Sequence, residues 1–490
     1  MALPDLIEIV PLDKPVRAEI TVPGSKSITN RALILVALAD GEATLTGALW
    51  SEDTQIMVEC LQKLGFEIRV ENDPAEFCNR TITIKGLGGK IPNAGTIEKP
   101  LELFVGNAGT AARFLSAFVC LGNGVYRLSG VARMHERPQA ALFKALRELG
   151  YRIESENGND KLPVIIFGSS RRESAQISKS EISQSRLTSA ATVSIEESSQ
   201  FASALLLCAK VGNWKVEVVG ENAEESPYVA MTLKLIEAFP KNGGTFQIEP
   251  DASSGSYFWA ASWLFADKMI LHPSGMGFPI RVTFWPLSGW QIDEKFPETL
   301  LSSPPRPEDV LFLPNVTSEF LPPKDWQANL VRQMEDKNSW LSKWSRLSRR
   351  NQIGDGIMAA IVVAPFNLQE RHFTDLGRLR VQETERVVAL RTELTKCGAK
   401  VVEEGDTLTV WPSPLHGAEI ETYNDHRMAM CFAILGLKVP GIKIKNPACV
   451  KKTFPNFFQK LAAQPPHGLG ATILDAKSGR KLTHEELFAD

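Results

Sequence analysis

The sequence is poor in the residues that mark most metal and hydrolase sites. It has seven histidines among 490 residues, and its seven cysteines form no C-x-x-C pair. It contains no H-E-x-x-H motif, no Walker-type G-x-x-x-x-G-K-[ST] loop and no G-x-S-x-G elbow. A zinc hydrolase, a nucleoside-triphosphate enzyme and a serine hydrolase are therefore unsupported. We expect a protein that holds no metal and needs no cofactor.

Long apolar runs and runs of basic residues are also missing. The N-terminal stretch MALPDLIEIVPLDKP has acidic residues where a secretion signal needs an apolar core, and no run is long enough to cross a bilayer. The formal net charge of −3 lacks the basic excess of a nucleic-acid binder. We expect a monomeric cytoplasmic enzyme with buried, reduced cysteines that binds neither membrane nor nucleic acid.

What the sequence has is a recurring join between an amphipathic helix, a glycine and an alternating strand. The join occurs at Gly65, Gly150 and Gly398, in LQKLGFEIRVE, LRELGYRIESE and LTKCGAKVVEE. The gaps of 85 and 248 residues are close to one and three copies of one repeat, which suggests about six related units. The alternative is that α/β proteins generally contain such joins. We expect an excursion at 169–196 and a divergent or inserted stretch at 303–350.

Several apolar helices are preceded by glycine, serine, asparagine or charged residues. A helix N-terminus offers free N–H groups and a partial positive charge, so each such start is suited to a phosphate or carboxylate. For any one of them plain capping is the alternative, but five together favour convergent anion binding. We place Lys26 and Ser27 before the first helix and Arg31 on its first turn. The five segments are PGSKSITNRALILVALADG, LFVGNAGTAARFLSAFV, ESSQFASALLLCA, YNDHRMAMCFAILGL and KKTFPNFFQKL.

Three further segments add charge of both signs. VARMHERPQ carries Arg133 just before a predicted helix. Glu383 and Arg386 are three residues apart and are predicted on one helical face, where an exposed ion pair is the alternative to a functional role. Asp355 precedes a very apolar helix, and a simple N-cap is its alternative.

Taken together and in order, these segments resemble the 5-enolpyruvylshikimate-3-phosphate (EPSP) synthase family over about residues 8–462. RMHERP, SSQFASALL, DASSGSYFWAA and RVQETERVVAL add to the resemblance. It implies an α/β fold, namely a two-domain inverse α/β barrel built from six βαβαββ-type units. The implied domains are 1–23 plus 249–490 and 24–248, with the active site in the cleft between them.

The resemblance also implies a reaction and a set of site residues. The family moves the enolpyruvyl group of phosphoenolpyruvate onto the 5-hydroxyl of shikimate 3-phosphate, and releases phosphate through a tetrahedral intermediate. Asp355 would be the base and Glu383 the acid, while Lys26 would touch both substrates. The implied phosphoenolpyruvate subsite is Lys26, Gly109, Arg133, Gln200, Arg386, Arg427 and Lys452. The implied shikimate 3-phosphate subsite is Lys26, Ser27, Arg31, Ser198, Ser199, Gln200, Asp355, Arg378 and Gln382.

The acceptor half departs from the family pattern. Gln382 stands where the family usually has lysine, Arg378 where many members have asparagine, and Glu225 where they have serine. Two alternatives therefore stay open: an enolpyruvyl transferase for another hydroxylated acceptor, and a non-catalytic paralogue. Glyphosate, the family's familiar inhibitor, would occupy the phosphoenolpyruvate subsite, but the sequence leaves sensitivity to it open because Phe114 replaces a common proline.

Overall fold

The computed structural model describes residues 3–14, 16–168, 190–220, 226–266, 279–301 and 345–489. Its strands are β1 (Leu6–Ile9), β2 (Ala18–Ile20), β3 (Asp40–Leu49), β4 (Ile68–Asn72), β5 (Asn79–Leu87), β6 (Leu101–Phe104), β7 (Val125–Ser129), β8 (Arg152–Ser155), β9 (Val164–Phe167), β10 (Ala190–Ser194), β11 (Lys215–Val219), β12 (Gly244–Gln247), β13 (Ile280–Val282), β14 (Arg346–Ser348), β15 (Arg371–Thr374), β16 (Val401–Glu404), β17 (Thr407–Val410), β18 (Glu419–Ile420), β19 (Ile442–Lys445) and β20 (Ile473–Asp475). Its α-helices are α1 (Lys26–Leu38), α2 (Glu52–Lys63), α3 (Gly109–Phe118), α4 (Ala132–Glu136), α5 (Ala140–Glu148), α6 (Ser199–Gly212), α7 (Pro227–Ala238), α8 (Ala252–Leu264), α9 (Phe296–Leu301), α10 (Ile357–Val363), α11 (Arg386–Lys396), α12 (His426–Gly436) and α13 (Phe457–Ala462).

The chain forms two compact units, each with its own hydrophobic core. The first unit comprises Met1–Val22, Ala252–Leu287 and Ile292–Asp490. The second comprises Pro23–Asp251 and Ser288–Gln291. Two cores agree with the length of the chain, because a single core of 490 residues is unusual. The predicted domain boundaries and the predicted cleft stay predictions.

The sheets of the described residues repeat one pattern, in which a parallel pair is followed by two antiparallel strands. In the second unit the pattern appears as β6-β7-β9-β8 and β12-β3-β5-β4, and in the first as β14-β15-β17-β16 and β18-β19-β1-β20. The pairs β10-β11 and β13-β2 are parallel as well. Each unit therefore has three sheets in the described residues.

Two of these sheets are built from one continuous stretch of chain. The order β6-α3-β7-α5-β8-β9 recurs as β14-α10-β15-α11-β16-β17, apart from the short helix α4 in the first copy. Both are βαβαββ units, as predicted. In the other two four-stranded sheets a strand distant in sequence completes the pattern, so that β12 pairs with β3 and β1 with β19.

The three glycines of the predicted join end three helices. Gly65, Gly150 and Gly398 follow α2, α5 and α11 and have φ angles of 95°, 97° and 92°. An L-residue with a side chain rarely adopts this left-handed region, whereas glycine does so at little cost. The strand that follows in each case is β4, β8 or β16. The predicted stop signal is confirmed at all three positions.

Both stretches that were expected to be irregular contain a strand. Ala190–Ser194, inside the predicted excursion 169–196, pairs in parallel with β11. Arg346–Ser348, inside the predicted insertion 303–350, pairs in parallel with β15. The predicted excursion was wrong at Ala190–Ser194, because the partner strand, which the local sequence does not reveal, supplies the hydrogen bonds. The strand Arg346–Ser348 does not contradict a divergent or inserted stretch. Residues 169–189 and 303–344 lie outside the described residues.

The C-terminal segment is part of the first unit. Its strand β20 pairs antiparallel with β1, and Leu482, Leu487 and Ala489 are buried in the first core. By pairing with β1, strand β20 covers an edge of β1 that could otherwise pair with another chain. The C-terminal segment therefore adds an edge strand to the sheet that contains β1.

The cysteines agree with the prediction of buried thiols that form no disulfide. All seven cysteines are buried and unbridged, and burial raises the pKa of Cys60 to about 12. None of the helices in the described ranges combines the length and apolar character that a bilayer crossing requires.

Candidate active site

The first predicted anion site is built on a close backbone approach in the second unit. Gly24 and Pro250 form an antiparallel bridge, and the Ser25 amide donates to the Glu249 carbonyl at 2.7 Å. A Cβ atom at Gly24 would lie 2.0 Å from the carbonyl oxygen of Gly47, so only glycine fits there. This contact fixes the point at which α1 begins.

Lys26 is the first residue of α1, and its ammonium is already paired. Its Nζ lies 3.2 Å from Asp53 Oδ2, and the two side chains are 17% and 4% exposed. Its backbone amide donates to Asp251 Oδ2 at 3.3 Å. Lys26 and Ser27 therefore lie in the first turn of α1. The prediction that they precede the helix was wrong. Asp53 is a partner that the sequence did not indicate.

Arg31 is a buried cation held by hydroxyl and carbonyl oxygens. Its Nε donates to Thr232 Oγ1 at 2.8 Å, its Nη1 to the Ser27 carbonyl at 2.9 Å and its Nη2 to Ser203 Oγ at 3.0 Å. Burial lowers the pKa of Arg31 to about 10. Among the described residues no carboxylate forms an ion pair with it. As the sixth residue of α1 it lies in the second turn, not on the first as predicted.

The start of α6 meets the start of α3 through side chains. Gln200 Oε1 accepts from Arg113 Nη1 at 2.8 Å, and its Nε2 donates to Thr110 Oγ1 at 3.1 Å. Ser198 caps α6 by accepting from the Gln200 amide, and Ser199 is buried beside it. The predicted helix start at Ser198 to Gln200 is thus confirmed, and Arg113 is a further cation there.

Gly109 begins α3 between two guanidinium groups. A Cβ atom on it would lie 2.7 Å from Arg113 Nη1 and 2.7 Å from Arg137 Nη2. Arg137 Nη1 donates to the Asn107 carbonyl at 3.3 Å, and both arginines are buried. Gly109 therefore leaves room for two cations at one helix N-terminus.

Arg133 differs from the other predicted residues of the second unit. It precedes α5, as predicted, but lies in the short helix α4, and its guanidinium pairs with Glu136 at 2.6 Å. The two side chains are 43% and 62% exposed. A pair so exposed contributes little to stability.

In the first unit, three arginines surround the carboxylate of Asp355. Arg349 Nη2 lies 2.5 Å from Oδ1, while Arg427 Nη2 and Arg386 Nη1 lie 3.3 Å and 3.8 Å from Oδ2. Burial would raise the pKa of Asp355, but Arg427, Arg349 and Arg386 together hold it well below its usual range. The alternative of a simple N-cap is wrong, because Gly356 occupies the cap of α10.

The loop that carries Asp355 is held by a second buried carboxylate. Asp293 accepts from the Gly354 amide at 2.6 Å and from the Gly356 amide at 3.2 Å, and it also accepts from Ser253. Burial raises the pKa of Asp293. The amides on both sides of Asp355 are thereby fixed.

Glu383 lies in the same network, at the start of α11 rather than within it. Its Oε2 lies 2.8 Å from Arg386 Nη2, and its Oε1 lies 3.1 Å from Lys452 Nζ. The side chains of Glu383 and Arg386 are 11% and 1% exposed. The predictions of one helical face and of an exposed ion pair were both wrong, since α11 begins at Arg386 and the pair is buried.

Arg386 is further fixed by Asp425, a partner that the sequence did not predict. Its Nε and Nη2 donate to Oδ2 and Oδ1 of Asp425 at 2.7 and 3.1 Å. Asp425 also caps α12 by accepting from the Arg427 amide at 2.9 Å. One fully buried carboxylate thus orients two arginines of the site.

Of the three departures from the family pattern, Gln382 is in contact with this network. Gln382 Oε1 accepts from Arg386 Nη1. Arg378 is half-buried in the 3₁₀ turn Gly377–Val381. Lys452 ends the 3₁₀ turn Pro447–Lys452 and does not begin a helix as predicted, because Pro455 separates it from α13. Glu225 lies outside the described residues.

The first-unit network suits acid–base chemistry on an anionic substrate. Its four cations, Arg349, Arg386, Arg427 and Lys452, face three carboxylates, Asp355, Glu383 and Asp425. The side chains of Asp355 and Glu383 are 12% and 11% exposed, whereas that of Asp425 is fully buried. Over the described ranges, no group of three or more histidine, cysteine or acidic side chains is arranged to hold a metal ion.

Comparison with known proteins identifies the family. The family model for EPSP synthase (3-phosphoshikimate 1-carboxyvinyltransferase) matches residues 11–274 and 348–461. The chain belongs to the EPSP synthase family. A 3-phosphoshikimate 1-carboxyvinyltransferase of Trichormus variabilis is 35% identical over 93% of this chain and 98% of its own length. A chloroplastic one of Solanum lycopersicum is 32% identical over 95% of this chain and 85% of its own.

Solved structures share the fold at lower identity. An EPSP synthase from Acinetobacter baumannii superimposes with a TM-score of 0.62 at 20% identity, over 96% of this chain and 99% of its own. The enolpyruvyl transferase NikO from Streptomyces tendae gives 0.61 at 14% identity, over 99% of this chain and all of its own. The predicted α/β fold of EPSP synthases and related enolpyruvyl transferases is confirmed.

Asp425 allows a direct test of how this EPSP synthase family member holds its site together. Asp425→Asn keeps a residue suited to the N-cap but removes the charge paired with buried Arg386. Breaking a buried pair on one side should lower the free energy of unfolding by about 3–5 kcal/mol, measured by urea denaturation.

The matched control is Glu419→Gln, whose partner Lys445 lies 2.8 Å away with both side chains nearly half exposed. The control should change stability far less. An Asp425→Asn protein as stable as the control would contradict the assigned role of Asp425.

Proposed function

We propose that this protein transfers the enolpyruvyl group of phosphoenolpyruvate to the 5-hydroxyl of shikimate 3-phosphate, with EPSP and phosphate as products. Curated relatives that match nearly the whole chain are 3-phosphoshikimate 1-carboxyvinyltransferases. The observation that carries the mechanism is the network in which Asp355 and Glu383 share the cations Arg386, Arg427 and Lys452.

The reaction needs a base, an acid and cations for the anionic groups. Asp355 takes the proton of the 5-hydroxyl as its oxygen attacks C2 of phosphoenolpyruvate. Glu383, in its protonated form, delivers a proton to the CH₂ carbon, which gives a tetrahedral intermediate with a methyl group. Glu383 then recovers a methyl proton as the C–O bond to phosphate breaks, and the phosphate leaves with the proton that Asp355 had taken. No electrons are gained or lost in the sequence.

The residues proposed for the phosphoenolpyruvate subsite belong to both units. Arg386, Arg427 and Lys452 bind the phosphate and carboxylate of phosphoenolpyruvate in the first-unit network. These cations now pair with Asp355 and Glu383. An arriving anion competes for them, which leaves the two carboxylates free to exchange protons. The second unit contributes Lys26, Gly109, Arg133 and Gln200.

The acceptor subsite rests most clearly on Arg31. A buried guanidinium with no carboxylate partner among the described residues is unfavourable unless an anion completes its environment. Three of its N–H groups are already used, so two of the five remain for the acceptor. The other proposed acceptor residues are Lys26, Ser27, Ser198, Ser199, Gln200, Asp355, Arg378 and Gln382.

One observation favours a second candidate, an enolpyruvyl transferase for a different hydroxylated acceptor. The amide oxygen of Gln382 faces Arg386, at a position where the family usually has a lysine. The acceptor side therefore lacks one expected cation, and a less anionic acceptor would need it less.

Phosphate release from phosphoenolpyruvate, with and without shikimate 3-phosphate, tests the proposal. Saturable release that depends on shikimate 3-phosphate is expected. Tight binding of phosphoenolpyruvate without turnover would favour the second candidate. An absence of both binding and turnover would leave the non-catalytic alternative.

Neutralising either proposed catalytic carboxylate should separate chemistry from binding. Asp355→Asn and Glu383→Gln should each lower kcat by at least about a hundredfold. The KM for phosphoenolpyruvate should not rise, because each change removes an anion that competes for the substrate's cations. Steady-state kinetics measure both constants.

Asp406→Asn is the matched control in the same unit, since Asp406 is 60% exposed and pairs with Arg380. It should leave both constants unchanged. Near-normal turnover in Asp355→Asn and Glu383→Gln would refute the assigned roles.

Arg31 should show a trade-off between stability and binding. Arg31→Met keeps much of the side-chain volume and removes a buried charge that lacks a carboxylate partner. Thr232 and Ser203 still hydrogen-bond to each other at 2.8 Å. We expect the free energy of unfolding without ligand to stay equal or rise, while shikimate 3-phosphate binding, measured calorimetrically, is lost.

Arg31→Ala is the comparison, since it removes the charge and also leaves a cavity, and it should be less stable than Arg31→Met. Retention of acceptor affinity in Arg31→Met would contradict the proposed subsite.

A further inference from the structure

Arg349 is a buried cation that neither the sequence nor the proposed roles account for. It follows β14, and its amide donates to the Thr374 carbonyl at 3.1 Å, which continues the pairing of β14 with β15. Only 7% of the residue is exposed. Its backbone position is therefore fixed by the sheet, and its guanidinium is held away from water.

The guanidinium of Arg349 is directed at one carboxylate. Its Nη2 donates to Asp355 Oδ1 at 2.5 Å. In the described part of the chain it forms an ion pair with no other acidic side chain. Charge-assisted hydrogen bonds of this kind are short and strong, and they fix the orientation of both groups.

The two oxygens of Asp355 have different partners. Oδ1 faces Arg349, whereas Oδ2 faces Arg427 at 3.3 Å and Arg386 at 3.8 Å. Arg386 also pairs with Asp425 and Glu383, and Arg427 also contacts the Tyr257 hydroxyl. Asp293, on the 3₁₀ turn Ile292–Lys295, is a further charged group that interacts with Asp355. Of the three arginines around Asp355, Arg386 and Arg427 therefore also contact other side chains, whereas the ion pair of Arg349 is with Asp355.

The loop between the two residues is anchored at both ends. Arg349 is tied to β15 through its amide, and Gly354 and Gly356 are tied to Asp293. The Arg349–Asp355 contact closes this loop across six residues. The carboxylate of Asp355 is therefore positioned before any ligand arrives.

We propose that Arg349 is a positioning residue that holds Asp355 in place while Arg386 and Arg427 bind the anionic substrate. The inference rests on the proposed function, in which those two arginines turn to phosphoenolpyruvate. Once they do, Oδ2 is released for proton transfer, and Oδ1 stays with Arg349. Without Arg349 the carboxylate would follow the other arginines toward the substrate anion or rotate freely.

The kinetic test compares Arg349→Gln and Arg349→Lys with the wild type. Arg349→Gln should lower kcat at least about tenfold, because a small misplacement of a reacting group is costly. The KM for phosphoenolpyruvate should change less than about threefold, since Arg349 does not bind the substrate. Arg349→Lys, which keeps the charge, should recover most of the loss. Arg346→Gln, at an exposed position three residues earlier in β14, is the matched control and should match the wild type.

The pH profile provides a readout that a purely structural role would not move. Arg349 favours the ionised form of Asp355, so its removal raises the pKa of that carboxyl. As the pH is lowered, kcat of Arg349→Gln should therefore fall at a pH about one unit higher than kcat of the wild type. The acid limb of the Arg346→Gln profile should stay in place.

Crystal structures of the wild type and Arg349→Gln separate this inference from the proposed function. A displaced Asp355 carboxylate in the variant supports positioning whether or not the wild type uses shikimate 3-phosphate. A wild type without acceptor-dependent turnover would refute the proposed function alone. An unmoved carboxylate with an unchanged acid limb would overturn the role of Arg349, even if kcat fell.

Discussion

The buried guanidinium of Arg386 holds the first-unit site together, because three carboxylates converge on it. Asp425, Glu383 and Asp355 lie 2.7, 2.8 and 3.8 Å from its nitrogens. Burial alone would lower the pKa of Arg386, but these carboxylates raise it above its ordinary value. The charge is therefore permanent, and each carboxylate is fixed relative to the other two. The chemistry assigned to Asp355 and Glu383 depends on this arrangement.

The second unit stabilises a buried cation with uncharged groups. Its most buried cation, Arg31, is held by the hydroxyls of Thr232 and Ser203 and by a carbonyl, rather than by carboxylates. The first unit thus pairs its buried cations with the carboxylates that we propose as catalytic groups, whereas Arg31 in the second unit is the cation that we propose for the acceptor. In this account substrate binding exchanges internal ion pairs in one unit and supplies a missing charge in the other.

The helix ends and several helix starts could be predicted from the sequence, because they depend on residues that are adjacent in the chain. Glycine at a helix end predicts a left-handed residue, and Gly65, Gly150 and Gly398 have that conformation. The segments around Lys26, Gln200 and Asp425 do begin helices. The ion partners could not be predicted, since Asp53, Arg113 and Arg349 are brought to the site by tertiary packing. Strands β10 and β14 were not predicted either, because the hydrogen bonds that define them come from partner strands and not from their own sequence.

We propose that Asp355 and Glu383 carry out an addition and an elimination on an enolpyruvyl group. The most direct measurement is the reaction of phosphoenolpyruvate with shikimate 3-phosphate in D₂O, with deuterium in the product followed by mass spectrometry. A methyl group formed by a solvent-derived proton rotates freely before one hydrogen leaves, so the vinyl CH₂ of the product should contain deuterium. Release of phosphate with no deuterium in the organic product would contradict the account.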